Sequence, residues 1–214
     1  MKVLVVGANG KIGRILVNKL QNDNDFQVRA MVRSVEQANE LNERGVEAVV
    51  ADLEGSVEQI SKAMKGCDAV IFTAGSGSKT GPDKTLTVDL DGAVKTIEAA
   101  EANSIKRFVM VSALQANNRE NWNMKIKPYY VAKHYADRIL MNSDLQYTIV
   151  KPGGLLDGPG TGKIQVAEKL ERGTIPREDV ASTIIEVLRE PKMIRQSFDL
   201  VSGDLTIKEA IADF

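Results

Sequence analysis

Short β-branched and aliphatic runs recur along the chain at Lys2–Val6, Gln27–Val32, Glu47–Ala51, Ala69–Phe72, Arg107–Val111 and Tyr147–Val150. Runs such as VLVV and FVMV are apolar at nearly every position, where a half-buried strand would alternate. They therefore predict strands covered on both faces. Between them the apolar period changes. Ile12, Ile15, Leu16, Lys19 and Leu20 share one side of a helix over Ile12–Leu20, and Val88–Ala102 repeats the pattern around Ala93, Ile97 and Ala100. The acids within Glu36–Glu43 and the run LNERGVE predict a solvated helix face. Strand alternating with helix predicts a doubly wound parallel sheet with helices on both faces and right-handed crossovers. Two glycine-dense loops, Gly75–Gly81 and Gly153–Gly162, follow predicted strands, at the end of an open α/β sheet where ligands bind.

A chain of 214 residues without repeat or linker suits one α/β domain, residues 1–214. A net charge of −1 argues against a general nucleic-acid or membrane-surface binder and leaves a small molecule as the expected partner. Cys67 and His134 are each alone, so neither an internal disulfide nor a zinc cluster is expected, in keeping with a reducing cytoplasm. Val3–Val6 is too short for a secretory signal and no apolar run reaches membrane-spanning length, which predicts a cytoplasmic protein. The apolar helix faces suit a monomer's core or a homodimer equally.

The first strand empties into VLVVGANGKIGR, Val3–Arg14, where Gly7, Gly10 and Gly13 form G-x-x-G-x-x-G ahead of an amphipathic helix. A phosphate needs backbone N–H groups and the positive end of a helix dipole at contact distance, and a side chain at the point of closest approach would block it. A plain turn that binds nothing is the bland alternative. Placement between an N-terminal strand and a helix favours a dinucleotide, held by Gly7, Asn9, Gly10, Lys11 and Ile12. About twenty residues on, NAD binders place an acid on the ribose 2′-hydroxyl. The stretch here reads QVRAMVRSVE, with Arg33 and Ser34 at that place, and a guanidinium suits a 2′-phosphate that a carboxylate would repel. NADP is therefore expected over NAD. A merely solvated Arg33 is the alternative.

Further motifs follow in order: AVVADLEG, VIFTAG, FVMVSALQ, PYYVAKHYADRIL, YTIVKPGGL, IPREDVA and FDLVSGDLTIKEAI. With GANGKIGR they make nearly the whole chain resemble the atypical NAD(P)H-binding branch of the short-chain dehydrogenase/reductase superfamily. That branch includes epimerase-like, NmrA-like and flavin/biliverdin-reductase-like members. The resemblance implies a Rossmann-type fold with a small C-terminal substrate-binding portion, mainly residues 152–214. It implies that Asp52 and Leu53 lie at the adenine, that Thr73, Ala74 and Gly75 lie beside the cofactor with Pro152 and Gly153, and that Ser112, Tyr129 and Lys133 are catalytic.

Their chemistry can be argued directly. Tyr129 and Lys133, four apart, share one face of a helix that Pro128 helps to start. An ammonium beside a phenol whose pKa is ordinarily about 10 favours the phenolate, so Lys133 is expected to pull Tyr129 down, and it could also hold the nicotinamide ribose. Ser112 would orient and polarise a carbonyl oxygen. There are departures from the family: Thr73 replaces the Asn of an N-A-G motif, and Asp89 and Asp91 stand where many relatives use Asn. Tyr130, three residues from Lys133, competes with Tyr129. Trp122 and Met124 line a pocket or cap the core, and His134 reads as a helix-surface or partly packed residue. The loop AGSGSKTGPDK is no Walker motif, since Lys79–Thr80 would require glycine at Thr73 and Ser78. Ser112 lacks the flanking glycines of a hydrolase elbow. Three readings remain: an NADP-dependent oxidoreductase acting on a small carbonyl, hydroxyl or conjugated substrate, an NAD(P)-dependent sugar epimerase or dehydratase, and a regulator that senses NADP(H). The short region after Pro152 speaks against a nucleotide-sugar, and intact Ser112, Tyr129 and Lys133 speak against a sensor.

Overall fold

The computed structural model describes residues 1–77 and 80–214; Ser78 and Lys79, at the Walker-like spacing, lie outside the described residues. The strands are β1 (Lys2–Val6), β2 (Gln27–Val32), β3 (Glu47–Val50), β4 (Ala69–Phe72), β5 (Arg107–Val111), β6 (Gln146–Pro152), β7 (Gly154–Leu156), β8 (Lys163–Ala167), β9 (Thr174–Pro176), β10 (Gln196–Ser202) and β11 (Leu205–Thr206). Among the described residues nine of them make one sheet in the order β11-β8-β10-β6-β5-β4-β1-β2-β3, while β7 and β9 pair apart. From β10 to β3 every neighbouring pair is parallel; β8 and β11 close the far edge antiparallel.

The continuous apolar strands are explained by two helix layers. Helices α1 (Lys11–Gln21), α2 (Val35–Glu43), α7 (Arg177–Arg189) and α8 (Ile207–Asp213) cover one face; α3 (Val57–Ala63), α5 (Gly92–Ala102) and α6 (Lys127–Met141) cover the other. Along β1, Val3 and Val5 meet Leu16 and Ile184 in the first core, while Leu4 and Val6 meet Ile60 and Ile97 in the second. Period-two side chains thus feed two separate cores. Each fully buried aliphatic side chain contributes about 1.5–3 kcal/mol. Helix starts follow their caps: the Ser34 hydroxyl accepts from Gln37 N on α2, the Ser56 hydroxyl accepts from Gln59 N on α3, and Thr206 with Glu209 forms a capping box on α8.

One expectation is corrected. The helix read over Val88–Ala102 is α-helical only from Gly92; a short helix α4 (Pro82–Lys84) and a π-helical segment, Thr85–Asp91, precede it. The wider π turn carries Asp89 into the interior, in line with the tendency of such segments to occur at functional sites. The strands after Pro152 were not legible. In β10 the buried Asp199 interrupts the apolar run, and its charge is matched by Lys151 on the neighbouring β6, Nζ to Oδ1 3.3 Å. Among the described residues no helix is long and apolar enough to cross a membrane.

Candidate functional site

The glycine turn leaves β1 beside the end of β4. Gly7 has φ +82°, and a Cβ there would stand 2.7 Å from Ala74 N and Cα, so only glycine lets the two strand ends approach this closely. β1 pairs with both β2 and β4, which makes this the switch point of the sheet. α1 starts at Gly10 with no side-chain cap and no acid in its first turn, so its leading N–H groups and dipole are left to an incoming anion, with Lys11 adding charge. Arg14 Nε steadies the turn by donating to Asn9 O (3.1 Å) and Asn9 Oδ1 (2.9 Å), and Ile12 anchors α1 in the core. The donor set fits a dinucleotide pyrophosphate.

The other expected cofactor residues lie along the same carboxyl edge. Arg33 is exposed just past β2, while Ser34 beside it is spent on capping α2. Asp52 is exposed after β3 and accepts from Glu54 N at 2.9 Å; Leu53 is buried against Gly92. The Thr73 hydroxyl donates to Val6 O at 3.0 Å, so the residue replacing the family's Asn ties β4 to β1. Gly75 crosses so near Asp89 that a Cβ would lie 3.1 Å from Oδ1. Pro152 ends β6, and Gly153 N donates to Leu200 O at 2.9 Å.

Tyr129, Lys133 and Asp137 lie at four-residue intervals along α6. Lys133 is buried; its Nζ donates to Val111 O (3.2 Å), lies 3.4 Å from Asp89 Oδ1, and stands 5.7 Å from the Tyr129 ring centroid. Burial opposes the Lys133 charge, but Tyr129, Asp89 and Asp137 outweigh it and hold the pKa above its usual value. Tyr129 is half-buried, and here the expectation fails in sign: burial raises its pKa, and Lys133 offsets this only in part against Asp89, Tyr130 and Asp137. The competition between the two phenols is settled by packing. Tyr130 stacks on Trp122 (5.9 Å between centroids, 16°) and its hydroxyl accepts from Arg172 Nη1 at 3.4 Å, leaving Tyr129 to face Lys133.

Ser112, just past β5, is buried and donates its hydroxyl inward to Asp137 Oδ2 at 2.6 Å. Burial pushes the Asp137 carboxyl up to about 7, against the Ser112 hydrogen bond and the Lys133 and Lys151 charges. Its Oδ1 has no partner among the described residues. Asp137 was missed in the sequence, although the Tyr129-Lys133-Asp137 spacing was a usable signal. Of the two acids at the family's Asn region, Asp89 enters the site and accepts from Ser76 N at 2.9 Å, while Asp91 is exposed and pairs with Lys95 at 2.6 Å.

Other candidates fall away from the chemistry. His134 is buried, its Nδ1 3.0 Å from Ala116 O, and burial lowers its pKa. Trp122 caps a small core with Tyr130, while Met124 is 69% exposed. The described residues contain no cluster of His, Cys, Asp and Glu able to hold a metal. The loop Gly153–Gly162 is fastened to α7 by Asp179, which accepts from Thr161 N and Gly162 N (both 2.9 Å), and reaches the glycine turn through Asp157, 2.7 Å from Lys11 Nζ.

A strand, glycine turn and helix at the sheet's switch point, with a Tyr-Lys helix two strands away, define a dinucleotide-binding α/β protein of the atypical short-chain dehydrogenase/reductase class. The chain belongs to the NAD(P)H-binding family, matched over residues 7–191. It is 60% identical over 211 residues to the Bacillus subtilis protein YhfK, named an uncharacterized sugar epimerase, covering 99% of each chain. A solved Bacillus halodurans protein, proposed to be an NAD-dependent epimerase/dehydratase, superposes with a TM-score of 0.94 at 43% identity over the whole of both chains. ChuY of Escherichia coli O157:H7, described as an anaerobillin reductase, gives a TM-score of 0.82 at 27% identity over 96% of this chain and 99% of that one.

Proposed function

We propose that the protein is an NADP-dependent oxidoreductase that transfers hydride to or from a small carbonyl, hydroxyl or conjugated substrate. The observation that carries this reading is the Tyr129–Lys133 face of α6, joined to the end of β5 through Lys133 Nζ and Val111 O. Gly7, Asn9, Gly10, Lys11 and Ile12 would hold the pyrophosphate, Asp52 and Leu53 the adenine, and Thr73, Ala74, Gly75, Pro152 and Gly153 the nicotinamide half. Arg33 would take the 2′-phosphate. When bound, the nicotinamide supplies or accepts the hydride. Ser112 orients the substrate oxygen, Tyr129 exchanges the proton, and Lys133 keeps a positive charge beside the phenol and grips the ribose. A phenol held above its ordinary pKa stays protonated, which favours donation in the reductive direction. An open groove of about 590 Å³ is lined by Lys169, Leu170, Arg172 and Val201, and none of its lining residues belongs to the Ser112, Tyr129 and Lys133 group.

The test is NADPH oxidation against quinones, flavins, aldehydes and ketones, with Tyr129→Phe beside the wild type. Turnover that Tyr129→Phe lowers by about a hundredfold is expected for loss of a general acid. Sugar epimerisation is a second reading, favoured by the name of the Bacillus subtilis relative. An epimerase returns its hydride and consumes no NADPH, so the same assay separates the two. Tight NADPH binding with no NADPH oxidation on any of these substrates would overturn the oxidoreductase reading and leave an epimerase or a sensor.

A further inference from the structure

Asp137 is a buried acid that the reaction as described leaves idle. It is 4% exposed on α6, behind Ser112, which is 2% exposed. Charged and titratable groups face it from every side: Lys133 and Tyr129 from its own helix, Lys151 from β6, and Asp89 from the π segment through Lys133. Its Oδ2 accepts a hydrogen bond from Ser112 Oγ at 2.6 Å, while its Oδ1 meets no donor among the described residues. A carboxylate buried for structural reasons normally has its lone pairs satisfied, because an unmatched buried acceptor costs stability. This one is half satisfied, and its single partner is the hydroxyl meant for the substrate.

We propose that Asp137 is a positioning residue for the reaction, its carboxyl group deciding whether the Ser112 hydroxyl proton points inward or is offered to the substrate oxygen. The inference rests on the oxidoreductase reading above. An ionised Asp137 can only accept, so it holds the Ser112 hydroxyl as a hydrogen-bond donor and leaves Ser112 with nothing but lone pairs for the substrate. A neutral Asp137 can donate its own O–H to Ser112 Oγ, and the serine proton is then free to turn toward a carbonyl oxygen. No bond to carbon changes; one hydrogen bond reverses its direction. Burial brings the carboxyl's titration to about 7, so both states are within reach of ordinary working conditions. Reduction is therefore expected to slow as pH rises through neutrality. A well-placed oxyanion donor is worth about a hundredfold or more, so loss of much of that contribution is the scale of the effect.

The experiment has two arms. In the first, the protein alone is labelled with 13C at its Asp carboxyls and titrated by NMR, with Asp137→Asn used for assignment. The Asp137 resonance is expected to titrate near neutrality, and Ser112→Ala is expected to move that titration upward because the carboxylate loses its donor. In the second, kcat is followed across pH on whichever quinone or aldehyde is turned over with NADPH. Wild-type kcat is expected to fall at least about tenfold through the neutral limb, while Asp137→Asn and Ser112→Ala, unable to reverse the bond, lose that limb. A titration unmoved by Ser112→Ala, or a limb that survives in Asp137→Asn, overturns the proposal. If no substrate is turned over, the oxidoreductase reading fails, and the first arm alone still decides whether Asp137 and Ser112 exchange a hydrogen bond with pH.

Discussion

Replacing Asp89 by Asn tests whether the buried charges around Lys133 are one coupled unit. The carboxylate is 1% exposed, stands 3.4 Å from Lys133 Nζ through Oδ1, and accepts from Ser76 N through Oδ2 at 2.9 Å. Asn is nearly the same size and can still accept from Ser76, but its amide NH2 then faces Lys133 Nζ, so the substitution removes both the charge and the acceptor at Lys133. Unit charges at that separation interact by about 5 kcal/mol at an effective dielectric near 20. Removing one partner of a buried pair typically costs about 3–5 kcal/mol, because the survivor is left desolvated. Lys133 retains Val111 O and can shed its proton, which places the expected loss at the lower end, about 3 kcal/mol. Urea denaturation at neutral pH measures it directly. A second reading comes from alkaline titration of tyrosinate absorbance, with Tyr129→Phe identifying one of the chain's 4 tyrosines. Asp89 is among the charges that hold Tyr129 up, so the phenol's pKa should fall in Asp89→Asn. A stability loss below about 0.5 kcal/mol, the range of ordinary surface changes, together with an unmoved Tyr129, would refute the coupling.

Other consequences can be measured independently. Arg33→Asp should weaken NADPH binding about ten- to a hundredfold while affecting NADH far less, since a charge-assisted contact to the 2′-phosphate contributes about 1.5–3 kcal/mol; equal affinities for NADPH in both proteins would dismiss the role of Arg33. Gly13→Ala should destabilise the fold by roughly 1–3 kcal/mol, seen in a thermal melt, because the added Cβ would press on the Gly7 carbonyl beneath α1. Stability should also depend on pH through Asp137, whose folded pKa of about 7 exceeds its ordinary 3.8. The folded state binds that proton more tightly, so this contribution is full below the unfolded pKa and is lost as pH rises through the folded one, at most about 4 kcal/mol over the interval. Denaturation of Asp137→Asn against wild type from about pH 4 to about 8 isolates it, and a difference that does not change with pH would dismiss it.

The sequence by itself determined the six parallel strands from β1 to β6, the helix layers and the glycine turn. These follow from local rules: strands buried on both faces must be apolar throughout, and a close strand-to-helix turn demands glycine where Gly7 meets Ala74. It also carried Tyr129 and Lys133, because four residues on a helix set one face without reference to the rest of the chain. Only the tertiary structure decided which phenol meets the lysine, since Tyr130 is claimed by Trp122 and Arg172 from other parts of the chain. The same holds for the sign of the Tyr129 shift, which depends on burial and on Asp89 as well as on Lys133. β10 and the Ser112–Asp137 bond were hidden for a related reason. A charged residue inside a strand or helix looks like a surface position until the fold supplies its partner, as Lys151 does for Asp199 and Ser112 does for Asp137.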